Sequence, residues 1–400
     1  LLPLYERPSL TIHGGEGCYV TDTTGRRYLD FITGIGVNAL GHAHPRIVRA
    51  IANQAALCLH TSNLYSHEYQ APLAHRLCQW SGLSHAFFSN SGTEAMEAAL
   101  KAALAHGTRQ HPTKFHMVAL ENSFHGRTLG ALSVTGQPHY RRAFGPLLPG
   151  ITFVPANGIT QLQAAVTEHT AAIILEPIQG EGGIHLLTES FLREARRLAT
   201  ATNALFIADE TQCGLGRTGH FFAYQRFPNL LPDIAVTAKP LAAGLPLGAT
   251  LFNDTAARAL PKGQHGSTFG GGPLACRVAL EVLDVIEDLI PHIRQTGDYL
   301  HQRLSTLADT RAAGMMAGLQ LPTPGAPLVA AALEKGLLIN CTQGNVIRLL
   351  PPFIATRSHI DEAVQILTAA GLRPRPISPE NHPTLTPKAA LPSFSSPPYR

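Results

Sequence analysis

The sequence predicts an α/β protein in two parts: a large domain with a mainly parallel sheet covered on both faces, and a smaller α/β domain. Three observations carry this. From His85 to about Asn253 short β-rich apolar runs alternate with helical patterns, the order that buries a parallel sheet between helices. Beyond Gly272 a long helical pattern opens a second alternating stretch. The chain has 400 residues, more than one ordinary core holds at roughly 150 residues per domain.

In chain order, GCYVTDTTGRRYLDF reads as a hairpin turning at Thr24-Gly25, and residues 1–45 are expected to pack with the smaller domain. The large domain, 46–272, follows. In it AFFS leads into the helical TEAMEAALKAALAH, HMVAL is the next strand, and AAIILEP precedes the helix ESFLREARRLATATN. The strands ALFIADE, DIAVTAK and GATLFN complete it. In the small domain, 273–371, LACRVALEVLDVIEDLI reads as a helix, LLINC and VIRLL as strands, and HIDEAVQILTAAG as the closing helix. Residues 372–400 carry eight prolines and few bulky apolar side chains, so they cannot bury enough surface to fix themselves and are expected to be disordered.

Hydrophobic residues make up 44% of the chain and charged residues 14%, which excludes global disorder. Lys plus Arg number 31 against 27 Asp plus Glu, and no basic run is interleaved with aromatics, so no nucleic-acid partner is expected. The longest apolar runs fall far short of the ~20 residues a helix needs to cross a bilayer. Cys18, Cys58, Cys78, Cys213, Cys276 and Cys341 stand apart without a C-x-x-C pair, and LLPLYERPSL lacks the charged-then-apolar pattern of a leader. Reduced thiols and a cytoplasmic location are the expectation. The 20 histidines scatter, with no H-E-x-x-H and no Cys/His cluster, so no metal is expected.

Chemically loaded residues directly follow four of the apolar runs: Ser91-Gly92-Thr93, Glu176, Asp209 and Lys239. Ligands of an open α/β sheet sit outside the carboxyl ends of the strands, so these four ends are expected to converge. Ser91 with Glu94 makes a capping box, which on its own explains the first group. The same helix start can seat an anion on its unpaired N–H groups, with Gly92 allowing close approach. Neither G-K-[ST] nor G-x-G-x-x-G is present, so one phosphate fits better than a pyrophosphate. Asp209 is a cap or loop ion pair, or else the partner of a protonated ring nitrogen. Lys239 is a surface lysine, or else a desolvated amine with a lowered pKa and a nucleophilic role. Together the phosphate seat, the carboxylate and the amine are the three protein parts a pyridoxal phosphate site requires.

The segments FFSNSGTEAMEAALKAA, ENSFHGRTLGALSVTGQ, ILEPIQGEGG, ADETQCGLGRTG, PDIAVTAKPLAAGLPLGA and STFGGGPLAC resemble, in order and spacing, the successive motifs of class III pyridoxal-phosphate aminotransferases. The resemblance runs from about Tyr5 to Gly371. It implies the fold of fold type I aminotransferases and a homodimer with its active site at the interface. It also implies roles. Lys239 binds pyridoxal 5'-phosphate covalently and shuttles the proton, and Asp209 pairs with the pyridine nitrogen. Ser91, Gly92 and Thr93 hold the phosphate, joined by Thr268 from the second subunit. Phe124 and Thr211 flank the ring and Gln212 bonds its oxygen. Arg127 takes a substrate carboxylate, and Arg348 takes the α-carboxylate of glutamate, with Glu181 as its counter-charge when the donor's distal end is neutral.

The pieces LDFITGIGVNALGHAHP, HTSNLYSHEYQ, SFHGRTLGALSVTGQPHYRRAFGPLLPG and GLLINCTQGNVIRLLPPF resemble one branch of the class. That branch moves the distal amino group of N-acetylornithine to 2-oxoglutarate, giving N-acetylglutamate 5-semialdehyde and glutamate in arginine biosynthesis. Ornithine, succinylornithine, N-succinyl-diaminopimelate and 4-aminobutyrate stay open as donors, to be decided by Asn63, Tyr65 and neighbours supplied across the dimer. The sequence departs from the family pattern at Met96, where Asn is common, and at Thr211, where Val or Ile is usual. Pro240, Ala242 and Ala243 replace glycines after the lysine. Proline disfavours a helical backbone in the residue before it, so Lys239 is expected to be extended, as at the end of a strand.

Overall fold

The computed structural model describes residues 1–373. The Pro-rich stretch from residue 374 on lies outside them. Seven strands form the central sheet: β1 (His85–Ser89), β2 (His116–Leu120), β3 (Ile151–Val154), β4 (Thr170–Leu175), β5 (Leu205–Asp209), β6 (Ile234–Thr237) and β7 (Gly248–Phe252). Their spatial order is β1-β7-β6-β5-β4-β2-β3. Only β7 runs against the others, paired antiparallel to both β6 and β1. The mainly parallel sheet is as expected. The edge strand β3 was not, because four residues, ITFV, are too few to show a period.

Burial on both faces explains the near-continuous apolar runs. Every residue of β4 is buried, and successive side chains fall into opposite cores: Ala172 and Ile174 into one, Ile173 and Leu175 into the other. The first of these cores lies under helix α1 (Gly92–Gln110), whose Ala95, Ala98, Ala99, Ala102 and Ala103 are all fully buried. Small side chains at that spacing let the helix sit close on the sheet. Met96 belongs to the same apolar core, so this departure fills volume and does not face the site. After β2 come a one-turn helix, Leu129–Ser133, and the short helix α2 (Pro138–Arg141). On the other face lies α3 (Glu189–Thr202), capped by the Thr188 side chain, which accepts the Phe191 N–H, and closed by Asn203 in the left-handed region.

Helix α4 (Pro273–Ser305) continues beyond the LACRVALEVLDVIEDLI pattern, through Pro291, for a further four turns. Proline removes one hydrogen bond there, but Ile293, Leu300 and Leu304 beyond it are fully buried and keep the helix docked. An antiparallel sheet of Asp309–Ala313, Met316–Gln320, Val346–Leu349 and Asn340–Thr342 follows, then α5 (Arg357–Ala369). LLINC is not one strand. Leu337–Leu338 pairs parallel with Arg27–Asp30 of the N-terminal hairpin, while Asn340–Thr342 joins the antiparallel sheet. The hairpin Tyr19–Asp22 and Arg27–Asp30 turns at Thr24-Gly25, with Gly25 N–H donating to Asp22 O at 3.0 Å. No helix among the described residues is long and apolar enough to cross a membrane.

Candidate active site

The carboxyl ends of β1, β4 and β5 and the segment after β6 open on one cavity of about 430 Å³, lined among others by Ser91, Gly92, Thr93, Glu176, Asp209 and Lys239. Phe124, Arg127, Thr211 and Gln212 line it too. The expected convergence of the four chemically loaded groups is therefore observed.

At the start of α1, Ser91 is extended and its Oγ accepts the Glu94 N–H at 3.3 Å. The second arm of the expected capping box lands one residue early, since the Glu94 carboxylate accepts the Asn90 N–H at 2.7 Å. Gly92 is required by close approach: a β-carbon there would stand 2.7 Å from Thr211 Cγ2. The Thr93 hydroxyl is already engaged, accepting the N–H groups of Arg127 at 3.1 Å and Thr128 at 3.2 Å. What the helix start offers an anion is therefore its backbone N–H groups more than this side chain.

Asp209 ends β5, 3% exposed. Its Oδ2 lies 2.7 Å from His125 Nδ1, and its Oδ1 accepts the Thr211 N–H at 3.0 Å. Burial works against a charged His125, yet the hydrogen bond and charge of Asp209, with Glu176 behind them, hold the imidazole above its ordinary pKa. Glu176 is buried as well. It accepts the N–H groups of Phe124 at 3.0 Å and Gly180 at 3.2 Å, and desolvation, helped by the Asp209 charge, raises its pKa to about 7.

Lys239 corrects two expectations. β6 stops at Thr237, so the lysine lies two residues beyond the strand, at the head of a 3₁₀ turn, Lys239–Ala242. Its φ is +28°, not extended, although proline follows. The turn and the packing of Leu241 and Ala242, both fully buried, impose a backbone that local preference disfavours. Desolvation, reinforced by the Arg348 charge, lowers the amine's pKa against the opposing pull of Asp209, Glu181 and Glu176.

Beside the cavity Arg348, 1% exposed, donates from Nη1 to Glu181 Oε1 at 2.5 Å and to Gln212 Oε1 at 3.0 Å. Burial alone would raise the Glu181 pKa, but Arg348 brings it below the ordinary value. Gln212, which lines the cavity, also joins this ion pair. Three expected residues are not at the chain's own cavity. Thr268 is exposed, Tyr65 is 73% exposed, and Asn63 donates to Ser267 O and Gly270 O, both at 3.0 Å. His125 and Glu176 were given no role from sequence. The signal for His125 was its place beside Phe124 in a matched motif, but its partner lies far off along the chain.

The class III aminotransferase family matches residues 4–370. The acetylornithine aminotransferase of Aquifex aeolicus is 45% identical over 371 residues, 92% of this chain and 98% of that protein. That of Methanocaldococcus jannaschii is 44% identical over 381 residues, 92% of this chain and 94% of its own. An amine transaminase from an uncultivated Pseudomonas species, solved in its PLP-bound form, superposes with a TM-score of 0.85 at 30% identity, covering 92% of this chain and 97% of that one. With its strand ends converging as described and near full-length similarity to these proteins, the chain belongs to the class III aminotransferases.

Proposed function

We propose that this aminotransferase uses pyridoxal 5'-phosphate to move the distal amino group of N-acetylornithine to 2-oxoglutarate, giving N-acetylglutamate 5-semialdehyde and glutamate, in arginine biosynthesis. The observation that carries the reading is the meeting, at one cavity, of a lysine with a lowered pKa, a buried carboxylate fixed by histidine, and the start of a long helix. The names of the relatives support the donor. The residues fit the cofactor: Thr211 Oγ1, His125 Nε2 and Arg348 Nη2 are buried polar atoms without a partner among the described residues.

When bound, pyridoxal phosphate supplies an aldehyde for amines and a ring that accepts the electron pair left when a substrate carbon loses its proton. Lys239 Nζ would hold it covalently, Asp209 would meet its ring nitrogen, and the N–H groups of Ser91, Gly92 and Thr93 would seat its phosphate. Phe124 and Thr211 would flank the ring. Once free, Lys239 Nζ accepts and returns the substrate proton, a task its lowered pKa suits. His125 keeps the Asp209 carboxylate oriented. Arg127 binds the α-carboxylate of N-acetylornithine or the distal carboxylate of glutamate, while Arg348 stays neutralised by Glu181 until glutamate or 2-oxoglutarate brings an α-carboxylate.

The reading includes a homodimer. Leu59, Leu64, Tyr65 and Phe269 are exposed apolar side chains, and the His60 and Phe269 rings, 5.2 Å apart, join their two segments into one patch. A second copy would cover it and bring Thr268, Asn63 and Tyr65 to the neighbouring cavity. We also place the domain divisions at 45, 272 and 371 and the protein in the cytoplasm. Single-turnover rates of the holoenzyme with N-acetylornithine, ornithine, succinylornithine, N-succinyl-diaminopimelate and 4-aminobutyrate test the donor. N-acetylornithine should have the highest specificity constant, and preference for any other overturns the assignment.

A further inference from the structure

Arg127 stands at the cavity with its guanidinium carbon 3.8 Å from the centre of the Tyr140 ring and 5.4 Å from that of Phe124. The two rings meet edge to face, 5.7 Å apart at 79°, so the cation is walled by two aromatic planes nearly at right angles. Among the described residues its guanidinium makes no hydrogen bond or ion pair. Tyr140 is held in turn. It lies on α2, its N–H donates to Gln137 O at 3.2 Å, and its ring packs 3.9 Å from His139. Gln137 Nε2 donates to Asn122 O at 3.3 Å, which ties this short helix back to the segment that carries Phe124 and Arg127.

We propose that Tyr140 is a positioning residue of the substrate site, its ring fixing the plane in which Arg127 presents its N–H donors to a carboxylate. The inference rests on the reading of Arg127 as a substrate-carboxylate residue. A guanidinium carries its five donors in its own plane, so a ring stacked on one face attracts the cation without consuming any of them. A free arginine side chain must lose its rotamer freedom when a carboxylate arrives, and one already held over a ring has lost part of it beforehand. The Tyr140 hydroxyl has no part in this. The ring matters, and phenylalanine should serve equally.

The test compares Tyr140→Phe, Tyr140→Leu, Arg127→Gln and the double variant Tyr140→Leu/Arg127→Gln as holoenzymes. Glutarate, a dicarboxylate that cannot react, serves as the binding probe. Tyr140→Leu should weaken glutarate inhibition and raise the half-saturating N-acetylornithine concentration by about three- to tenfold, the scale of a cation–π contact. Its limiting single-turnover rate, cofactor affinity and melting temperature should stay as in wild type, and Tyr140→Phe should match wild type throughout. Arg127→Gln should lose more, and adding Tyr140→Leu to it should change nothing further. If Arg127→Gln weakens glutarate while Tyr140→Leu does not, the positioning role fails and the Arg127 reading stands. Unchanged glutarate inhibition in Arg127→Gln overturns both. Additive losses in the double variant, or a loss of cofactor affinity in Tyr140→Leu, would mark Tyr140 as acting apart from Arg127 and overturn the proposal.

Discussion

Lys239 and Glu176 set what single side chains do here, and each can be tested alone. Lys239→Ala should still fold and lose nearly all transamination. Borohydride reduction of the wild type followed by mass spectrometry should place the pyridoxyl adduct on Lys239, and an adduct on Lys101, Lys114 or Lys262 would move the assignment. Glu176 yields a pH prediction. Its carboxyl has a folded pKa of about 7 against an ordinary 4.5, so the native state binds the proton more tightly than the unfolded chain. Its contribution is fully present below about pH 4.5 and is lost as pH rises through about 7. Glu210, buried and likewise raised to about 7 by desolvation, acts in the same direction. In Glu176→Gln one of these two responses is gone, so the difference in melting temperature from wild type should move in the variant's favour between pH 5 and pH 7.5, by several degrees at most. A constant difference would mean that Glu176 ionises in the ordinary range. Asp209 and Lys239 were legible in the sequence because a polar residue punctuates an apolar run there. The pairing of His125 with Asp209 was not, because 84 residues separate them and only the folded sheet brings them within 2.7 Å.

Among the elements, those with long or repeated patterns were readable from the chain alone. The six strands read at AFFS, HMVAL, AAIILEP, ALFIADE, DIAVTAK and GATLFN and the helix after SNSG all formed, the end of DIAVTAK excepted, since the strands are apolar runs between turn signals and the helix repeats its apolar residues over several turns. Short or context-dependent elements escaped: the four-residue α2, the split of LLINC between two sheets, and the run of α4 past Pro291. Tertiary packing decides each of these. The turn after Lys239 shows the same override and carries a prediction. Ala243 sits at φ +48°, where an L side chain costs roughly 1–2 kcal/mol and glycine does not. Glycine gives back about 0.5–1 kcal/mol through its larger unfolded-state freedom, so Ala243→Gly should stabilise by about 1 kcal/mol or less. Denaturant midpoints of the two proteins would show it, and a lower midpoint for the variant would mean that Ala243 is unstrained.

For the whole molecule, assembly into a dimer should decide activity. If Thr268 reaches the phosphate of the neighbouring cavity, then diluting the enzyme below its dissociation constant should abolish turnover in step with the appearance of monomer in sedimentation. Thr268→Ala should weaken cofactor binding by about ten- to a hundredfold, the scale of one hydrogen bond to a charged group. Full activity in the monomer would refute the shared site. No pattern along the chain could show the surface proposed for the dimer, because it is drawn from segments as distant as Leu64 and Phe269. The one antiparallel strand of the large sheet has a further consequence. Because β7 turns straight back along β6, with Thr237 paired to Ala249, the segment that bears Lys239 is a loop tied at its base and pinned in the core by Leu241 and Leu247. A tether so short works as a concentration. Groups held in productive orientation correspond to effective molarities on the order of 10⁵ M or more, far above the solubility of any free amine. Methylamine added to Lys239→Ala should therefore restore proton transfer in direct proportion to its concentration, without saturating, and only to a small fraction of the wild-type rate.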